Sequence, residues 1–208
     1  MMNERKDVNE VCLVGRRVTD FLFSHSSWET DYYVADFVSE RLSGIQDRIP
    51  VTVSERQREM LSRDRDGYVR IEGYFQSYNR IEQGRRRLVL SVFARTVDIA
   101  GRDKPAEENR IYLVGYVCKK TVYRITPAGM RITDILMAVN RPRRGTDYLP
   151  CISWGKYARI AAGFPVGERI WLSGRIQSRD YSKETKAGIP EVRTAYEVSA
   201  YEVDSMET

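Results

Sequence analysis

Three of the six aromatic residues between residue 143 and residue 183 are candidates for binding. Tyr148, Trp154 and Tyr181 have flat rings on which nucleic-acid bases can stack, and the cations around them can hold phosphates. Those cations are Arg143, Arg144, Lys156, Arg179 and Lys183. The alternative for each aromatic residue is packing in the core, and for each cation a solvated surface charge. On residue type alone, core packing is the commoner role of a tryptophan, so base stacking is one of two alternatives at this point.

The sequence contains no pattern typical of a catalytic or metal site. His25 is the one histidine, and the acidic residues lie among basic neighbours rather than in paired, apolar settings. The three cysteines, Cys12, Cys118 and Cys151, are far apart in the sequence, and each lies within an apolar strand pattern. We therefore predict buried free thiols and a binding protein that is not an enzyme, with no metal and no cofactor.

The excess of positive charge is confined to one part of the chain. The sequence has 34 basic and 29 acidic residues; residues 1–100 contain 16 of each, so 18 basic and 13 acidic residues remain in 101–208. The whole net charge of +5 therefore lies in residues 101–208. A positive field on one module suits a polyanionic partner, although a charge of this size is also usual for solubility alone.

A sequence repeat of about a hundred residues divides the chain. NEVCLVGRRV at residues 9–18 matches NRIYLVGYVC at 109–118, and residues 49–53 match 149–153 with the same shift of 100. Residues 72–77 match 173–178, and residues 90–93 are aligned with 198–201. We predict two domains of one fold, residues 1–100 and 109–208, joined by a linker at 101–108. We call them the first half and the second half.

In the second half, the residues around Trp154 predict a strand, a short helix and another strand. Side chains alternate in character through residues 147–153, and Gly155 interrupts the strand after Trp154. Alanine and isoleucine at helical spacing predict a helix over 156–162 that Gly163 ends. Residues 170–176 alternate again, and Gly174 marks a bulge or sharp bend in that strand.

The first half has the same order of elements but a different residue at the position of Trp154. That residue is Ser54, and its spacing from Gln57 is that of a capping box, which predicts a helix that includes Met60 and Leu61. Because the tryptophan is absent there, we expect the two halves to differ in how they bind a ligand.

Several segments outside these motifs also carry expectations. A long loop is predicted between the fourth and fifth strands of each half, at residues 79–87 and 180–193, because each contains glycine, lysine or arginine between short strand patterns. Trp28 and Trp171 are assigned to structural packing, and His25 is assigned to a loop.

The sequence TDYLPCISWGKYAR, followed by a Val166-Gly167 turn and SGRIQSRDY, resembles the bacterial single-stranded DNA-binding protein family. The resemblance covers residues 109 to about 203. It implies an OB barrel of five strands with one helix between the third and fourth strands. With the repeat, the expected fold class is all-β, with two tandem five-stranded OB-fold barrels that each contain one short helix.

The same resemblance implies a function and its residues. Tyr148, Trp154 and Tyr181 occupy positions on which DNA bases stack in the family, whereas many members have a further tryptophan where this chain reads RPRRG at 141–145. The implied function is sequence-tolerant binding and protection of single-stranded DNA in replication, recombination or repair. The alternatives are a primosome or recombination accessory OB protein and an RNA-binding or chaperone module.

For the first half, a weaker contribution to DNA binding or a role in assembly is expected. The loop after its fourth strand contains residues that could contact a phosphate backbone: Tyr78, Arg80, Arg85 and Arg86. The family resemblance implies a working unit of four OB folds, which here would be a homodimer.

The ends of the sequence carry two further expectations. The first eleven residues lack the apolar core of a secretory signal, so a cytoplasmic location is predicted, with no membrane and no small-molecule substrate as partner. The sequence ends in VDSMET without the acidic Pro-Phe tip by which family members recruit other enzymes, so protection of single strands without that recruitment is expected.

Overall fold

The computed structural model of the protein describes residues 6–63, 66–82, 85–103, 108–184 and 190–206, and for residues 80–82 and 85–87 it describes the backbone alone. The first half contains β1 (Val8–Arg17), β2 (Leu22–Ser27), β3 (Thr30–Glu40), β4 (Gln46–Ser54), α1 (Glu55–Ser62), β5 (Tyr68–Glu82) and β6 (Arg85–Gly101). The second half contains β7 (Asn109–Val117), β8 (Val122–Ile125), β9 (Arg131–Asn140), β10 (Thr146–Trp154), α2 (Gly155–Ala162), β11 (Arg169–Glu184) and β12 (Pro190–Ser205). The all-β class with a short helix in each half is confirmed.

The strands of the first half pair in a closed ring. β1 pairs with β3, β3 with β4, β4 in parallel with β6, β6 with β5, and β5 with β1. The second half repeats these pairings with β7, β9, β10, β12 and β11. β2 and β8 extend the two rings by pairing with β3 and β9. Among the described residues each half thus has six strands, one more than the five expected. The additional strand is β2 in the first half and β8 in the second, and each forms a hairpin with the strand that follows it.

The two rings share one sheet. β1 and β7 pair antiparallel with Val11 opposite Ile111, so the twelve strands form a continuous hydrogen-bonded sheet. One asparagine in each joining strand makes the same pair of bonds to its own half. Asn9 bonds to both backbone groups of Phe75 at 2.8 and 2.9 Å, and Asn109 to those of Ile176 at 2.7 and 3.0 Å. The sequence repeat is therefore also a geometric repeat.

Local sequence features explain the helices and the bend in β11. Ser54 and Gln57 form the predicted capping box, in which each side chain bonds the other residue's backbone N–H. α2 ends before Gly163, as predicted. The register of β11 shifts at Gly174, where a Cβ would lie 2.3 Å from the carbonyl oxygen of Ser199. The predicted bulge is confirmed, and its cause is this close backbone approach.

The register corrects one part of the repeat as aligned from the sequence. Val51 of β4 pairs with Val92 of β6, and Cys151, the equivalent residue of β10, pairs with Val198 of β12. Val92 therefore corresponds to Val198. Phe93 therefore corresponds to Ser199, and not to Tyr201 as the alignment of residues 90–93 with 198–201 predicted. The alignment of these short segments was wrong by two residues, because an alternating strand pattern matches equally well after a shift of two.

The two segments predicted as long loops are instead largely paired strands. β5 and β6 stay paired to Glu82 and Arg85, and β11 and β12 stay paired to Glu184 and Pro190. Both segments are extended hairpins, because backbone pairing does not require apolar side chains. β6 also continues to Gly101, so strand pairing reaches the start of the predicted linker.

Trp28 and His25 lie in the β2–β3 hairpin rather than in the predicted settings. Trp28 and Glu29 have φ values of 49° and 60°, which form a two-residue turn that leaves the Trp28 side chain 97% exposed. Trp28 is therefore not a packing residue. His25 lies on β2, not in a loop. Trp171 is half-buried, with its ring centroid 6.3 Å from that of Tyr112.

In the described part of the chain, neither helix has the length and apolarity needed to cross a membrane.

Candidate nucleic-acid interface

Trp154 lies on the outer face of the second half, at the end of β10. Its indole N–H donates to the hydroxyl of Ser199 at 3.0 Å, which holds the ring over β12. Its register partner on β9 is Ile132, which is 1% exposed. The indole itself is half-buried and lines a groove. A ring that is fixed at one edge and partly accessible suits a stacking platform better than a core residue.

Tyr148 and Tyr181 are on the surface of the same half. Tyr148 is 43% exposed and shares the outer face of β10 with Trp154, because the two are six residues apart and strand side chains alternate. Tyr181 is 38% exposed and lies on β11, opposite Arg193. The structure thus brings Tyr148 and Trp154 onto one face of β10 and places Tyr181 on the hairpin formed by β11 and β12.

A groove of about 710 Å³ opens beside Trp154. Its floor and walls come from β11 and β12, and its far side comes from the first half. The main lining residues are Arg41, Trp154, Arg175, Arg179, Ser199 and Tyr201. A neighbouring groove of about 530 Å³ shares Arg41, Arg175 and Tyr201 and adds Arg110. Together they make a path lined by aromatic rings and arginines, which is what a phosphate backbone with attached bases requires.

Arg175 and Arg41 are the groove residues that sequence reasoning missed. The Nε of Arg175 is buried and has no hydrogen-bond partner among the described residues, although buried polar atoms are nearly always paired. Such an atom favours an anionic ligand as the missing partner. The signal for Arg175 was present in the motif Gly174-Arg175-Ile176-Gln177. Arg41 gave no signal, because it lies in the other half of the sequence.

The predicted cations of the second half do not all lie in the groove. Arg179 lines it and is exposed. Lys156 opens α2, with its ammonium nitrogen 4.6 Å from the ring centre of Tyr157. Lys183 is exposed further along the β11 hairpin. Only Arg179 of these three shares the groove with Trp154.

Arg143 and Arg144 lie in the β9–β10 turn, which crosses to the first half. Both side chains are exposed. The turn is anchored by Arg141, which forms two bonds with Asp147 and donates to the carbonyl oxygen of Ser77 at 2.9 Å. Asp147 in turn accepts from the backbone N–H of Ser77 at 2.7 Å. These two arginines therefore project beside the first half rather than over the groove at Trp154.

The β3–β4 turn of the first half is anchored in the same way to β11 of the second half. Arg41 forms bonds of 2.7 and 2.6 Å with Asp47, and Asp47 accepts from the backbone N–H of Ser178 at 2.9 Å. Asp47 is fully buried. We call the two Arg-Asp-Ser groups the latches: Arg41-Asp47-Ser178 and Arg141-Asp147-Ser77. They hold the turn of each half against β5 or β11 of the other, and so bring Arg41 to the groove.

The predicted residues of the first half lie on the β5–β6 hairpin. Tyr78 is 41% exposed and, by register, corresponds to Arg179. Arg80, Arg85 and Arg86 are on the paired ends of β5 and β6, where the backbone alone is described.

The cysteine thiols are free and two of them are strongly protonated. Cys151 is buried, while Cys12 and Cys118 are half-buried, which corrects the prediction for those two. Burial and, to a smaller extent, the hydrogen bond to Glu108 raise the pKa of Cys12 to about 11. Burial also raises the pKa of Cys151. A protonated thiol is a weak nucleophile and a poor metal ligand. In the described ranges, no three His, Cys, Asp or Glu residues are grouped so that they could hold a metal.

Comparison with known proteins gives a family-model match in the second half. Residues 108–206 match the model of the single-strand binding protein family. Single-stranded DNA-binding protein 2 of Listeria innocua is 39% identical over 80 residues, which cover 35% of this chain and 50% of that protein. Single-stranded DNA-binding protein A of Bacillus subtilis is 32% identical over 83 residues, covering 36% of this chain and 48% of that one. The chain spans about half the length of these curated relatives.

A solved structure resembles the whole chain. The crystal structure of wild-type single-stranded DNA binding protein from Thermus aquaticus superposes with a TM-score of 0.76 and 18% identity, covering 98% of this chain and 95% of that one. At this identity the likeness concerns the fold, and it includes the first half, which the family model does not match.

Proposed function

Residues 108–206 belong to the single-strand binding protein family, and from this premise we propose that the protein binds and protects single-stranded DNA with little sequence preference. The observation that carries the proposal is the groove beside Trp154. There an open indole face lies among arginines, one of which, Arg175, has a buried Nε without a partner in the described chain. Replication, recombination or repair is the proposed setting.

The proposed mechanism combines stacking with phosphate contacts. Bases stack on Trp154, Tyr148 and Tyr181, and each stack contributes roughly 1–3 kcal/mol whatever the base. Arg175 and Arg179 contact the phosphates between them. Because neither contact reads the hydrogen-bonding edge of a base, binding tolerates any sequence.

The proposed organisation is two OB domains, residues 1–100 and 109–208 with a linker at 101–108, in a homodimer with four OB folds. The support is the shared sheet and its exposed aromatic surface, where Tyr112 lies next to Trp171. A sedimentation measurement should give twice the mass of the chain. The mass of one chain would contradict the dimer without affecting the proposal for DNA binding.

The test of function is a comparison of three ligands by fluorescence anisotropy. Labelled oligo-dT, oligo-U RNA of equal length and a DNA duplex are titrated with the protein at one salt concentration. We expect tight binding of oligo-dT and much weaker binding of the duplex, whose stacked bases cannot reach Trp154. Equal binding of the duplex would overturn the proposal. Preference for oligo-U would favour an RNA-binding module instead.

A further inference from the structure

A large and a small residue have changed places between the two halves. In the second half Trp154 on β10 bonds to Ser199 on β12. The corresponding positions in the first half are Ser54 on β4 and Phe93 on β6. The first half has therefore not simply lost an aromatic residue from its outer face. The aromatic residue is on the neighbouring strand.

Further aromatic rings join Phe93 in a row across the sheet. The ring centroids of Tyr32 and Phe93 are 5.2 Å apart, and His25 stacks on Tyr32 at 5.0 Å with an interplanar angle of 14°. Tyr74 is the register partner of Phe93 on β5. We call His25, Tyr32, Phe93 and Tyr74 the aromatic row.

The contact between Tyr32 and Phe93 depends on the small residue between them. Tyr32 is on β3 and Phe93 on β6, and β4 lies between these strands. Strands are about 4.8 Å apart, so the two backbones are separated by roughly 10 Å. Ser54 is the register partner of Tyr32, and its small side chain leaves room for the rings to meet above β4. A tryptophan at this position, as in the second half, would fill that space.

The aromatic row is accessible and does not belong to the core. His25 is exposed, whereas Tyr32, Phe93 and Tyr74 are half-buried. Their neighbours along the strands, such as Ala94 and Phe75, point inward and are buried. The row therefore lies on the outer face, like Trp154 in the second half.

The row also adjoins the surface of the second half. The backbone N–H of Tyr148 donates to the hydroxyl of Ser77 on β5 at 2.8 Å. Tyr78 is next to Ser77 and, like Tyr74, lies on the outer face of β5. The exposed Tyr148 and Tyr78 therefore lie on neighbouring strands, and Tyr78 is on the same strand and face as Tyr74 of the row.

We propose that the aromatic row is a second base-stacking surface, on which a single DNA strand bound at Trp154 continues across the first half. The inference rests on the proposed function and adds a binding site to the half that the family model does not match. The contacting flat rings of the row form a partly exposed surface on which bases of a single strand can stack. A duplex would not bind there, because its bases are already stacked on each other.

The test compares a short and a long strand on variants of the full chain. Oligo-dT of about 8 nucleotides fits one OB fold, and oligo-dT of about 30 nucleotides covers both halves. The variant Phe93→Ser introduces the residue of the second half, and it is combined with Tyr32→Ala. We expect this double variant to bind the long strand between about 5-fold and about 100-fold more weakly, with unchanged affinity for the short strand.

The matched control is Phe23→Ala. Phe23 is an exposed aromatic residue of the same hairpin, but its ring packs edge-on against Tyr33, away from the row. We expect its affinity for the long strand to equal that of the wild type. Equal weakening in the control and the double variant would mean that damage to the hairpin, and not loss of the row, is the cause, which would overturn the inference.

A second measurement does not depend on the folding of variants. Oligo-dT with photoreactive 5-iododeoxyuridine is crosslinked to the wild-type protein, and the crosslinked peptides are mapped by mass spectrometry. We expect crosslinks at Tyr32 or Phe93 in addition to Trp154. Crosslinks confined to the second half would overturn the inference and leave the proposed function intact. The same holds if Trp154→Ala weakens binding of the long strand and the double variant does not. A wild-type chain that binds neither strand would overturn both.

Discussion

The two halves share a fold but carry different chemistry on equivalent outer faces. In the second half, the positions on β11 beside the groove are Arg175 and Arg179; in the first half, the corresponding residues of β5 are Tyr74 and Tyr78. The arginines suit phosphates and the tyrosines suit bases. The difference shows that duplicated barrels can keep their strand register while the outward residues change independently, because these residues do not pack in the core.

Two arginines on the first half are paired with carboxylates. Arg48 bonds to Asp36 at 2.7 Å, and Arg95 lies 3.5 Å from Glu72. These carboxylates reduce the positive field on that face. The net charge of +5, which lies entirely in residues 101–208, follows the same division. We therefore expect salt to affect the contribution of the second half more than that of the first.

The largest expected effect concerns the latches, where the halves are alike. Asp47→Ala and Asp147→Ala each remove a buried carboxylate that an arginine and a backbone N–H both contact. We expect each change to lower the free energy of unfolding by about 3 kcal/mol or more, because the partners lose their acceptor. Urea unfolding measures this loss.

The control for the latches is Asp134→Ala, which removes an exposed pair with Arg124. Exposed pairs contribute about 0–1 kcal/mol, so little change is expected. A large decrease in the free energy of unfolding for Asp147→Ala, with none for Asp47→Ala, would show that the two latches are not equivalent. The bond of Asp47 to Ser178 would then not be needed to hold the two halves together.

The next effect tests the two stacking surfaces against each other. Trp154→Ala should weaken binding of oligo-dT by roughly 1–3 kcal/mol, with little change in the dependence of affinity on salt. Tyr78→Ala should cost less, because among the described residues none bonds to the Tyr78 ring as Ser199 bonds to that of Trp154. Trp154→Phe keeps a ring and should recover part of the loss. Unchanged affinity in a folded Trp154→Ala protein would assign the indole to packing.

The sequence predicted those features that depend on neighbouring residues. The capping box of Ser54 and Gln57 and the bulge at Gly174 were correct, because each is determined by residues within a turn or at one strand position. The all-β class followed from the family resemblance and from the alternation of strand residues. Tyr148 and Arg179 are exposed and Trp154 is half-buried at the groove, and their contact with DNA stays a prediction.

The missed features depend on residues far apart in the chain. Arg41 reaches the groove through a latch whose aspartate and serine are 131 residues apart. The aromatic row combines residues of four strands with a serine on a fifth. The shift of two residues in the alignment of β6 with β12 concealed the correspondence of Phe93 with Ser199. Trp28 was misassigned because a large apolar residue usually packs, whereas the turn at φ 49° directs it to solvent.

A smaller effect concerns the arginines, and it distinguishes the groove from the β9–β10 turn. Arg175→Ala combined with Arg179→Ala should flatten the slope of log affinity against log salt by about 0.7 for each phosphate that the variant no longer neutralises. For an oligo-dT of about 8 nucleotides, which fits one OB fold, Arg143→Ala combined with Arg144→Ala should change the slope less, because these residues are not among those that line the groove. The measurement is anisotropy with oligo-dT at several salt concentrations. A larger change for the turn variant would move the phosphate path from the groove to the junction of the halves.

The smallest effect concerns a position where one half has a titratable thiol and the other a tyrosine, Cys12 and Tyr112. Burial and the bond to Glu108 raise the pKa of Cys12 from 9.0 to about 11. The unfolded chain therefore loses this proton first, so the stability that the protonated thiol contributes is complete below pH 9.0 and is lost as the pH rises to about 11. Cys12→Ser has no such proton and should show a shallower decline over this interval. Urea unfolding of both proteins at the two ends of the interval measures the difference. Parallel declines would mean that Cys12 titrates alike in the folded and unfolded chain, and that the pairing of β1 with β7 does not shield it.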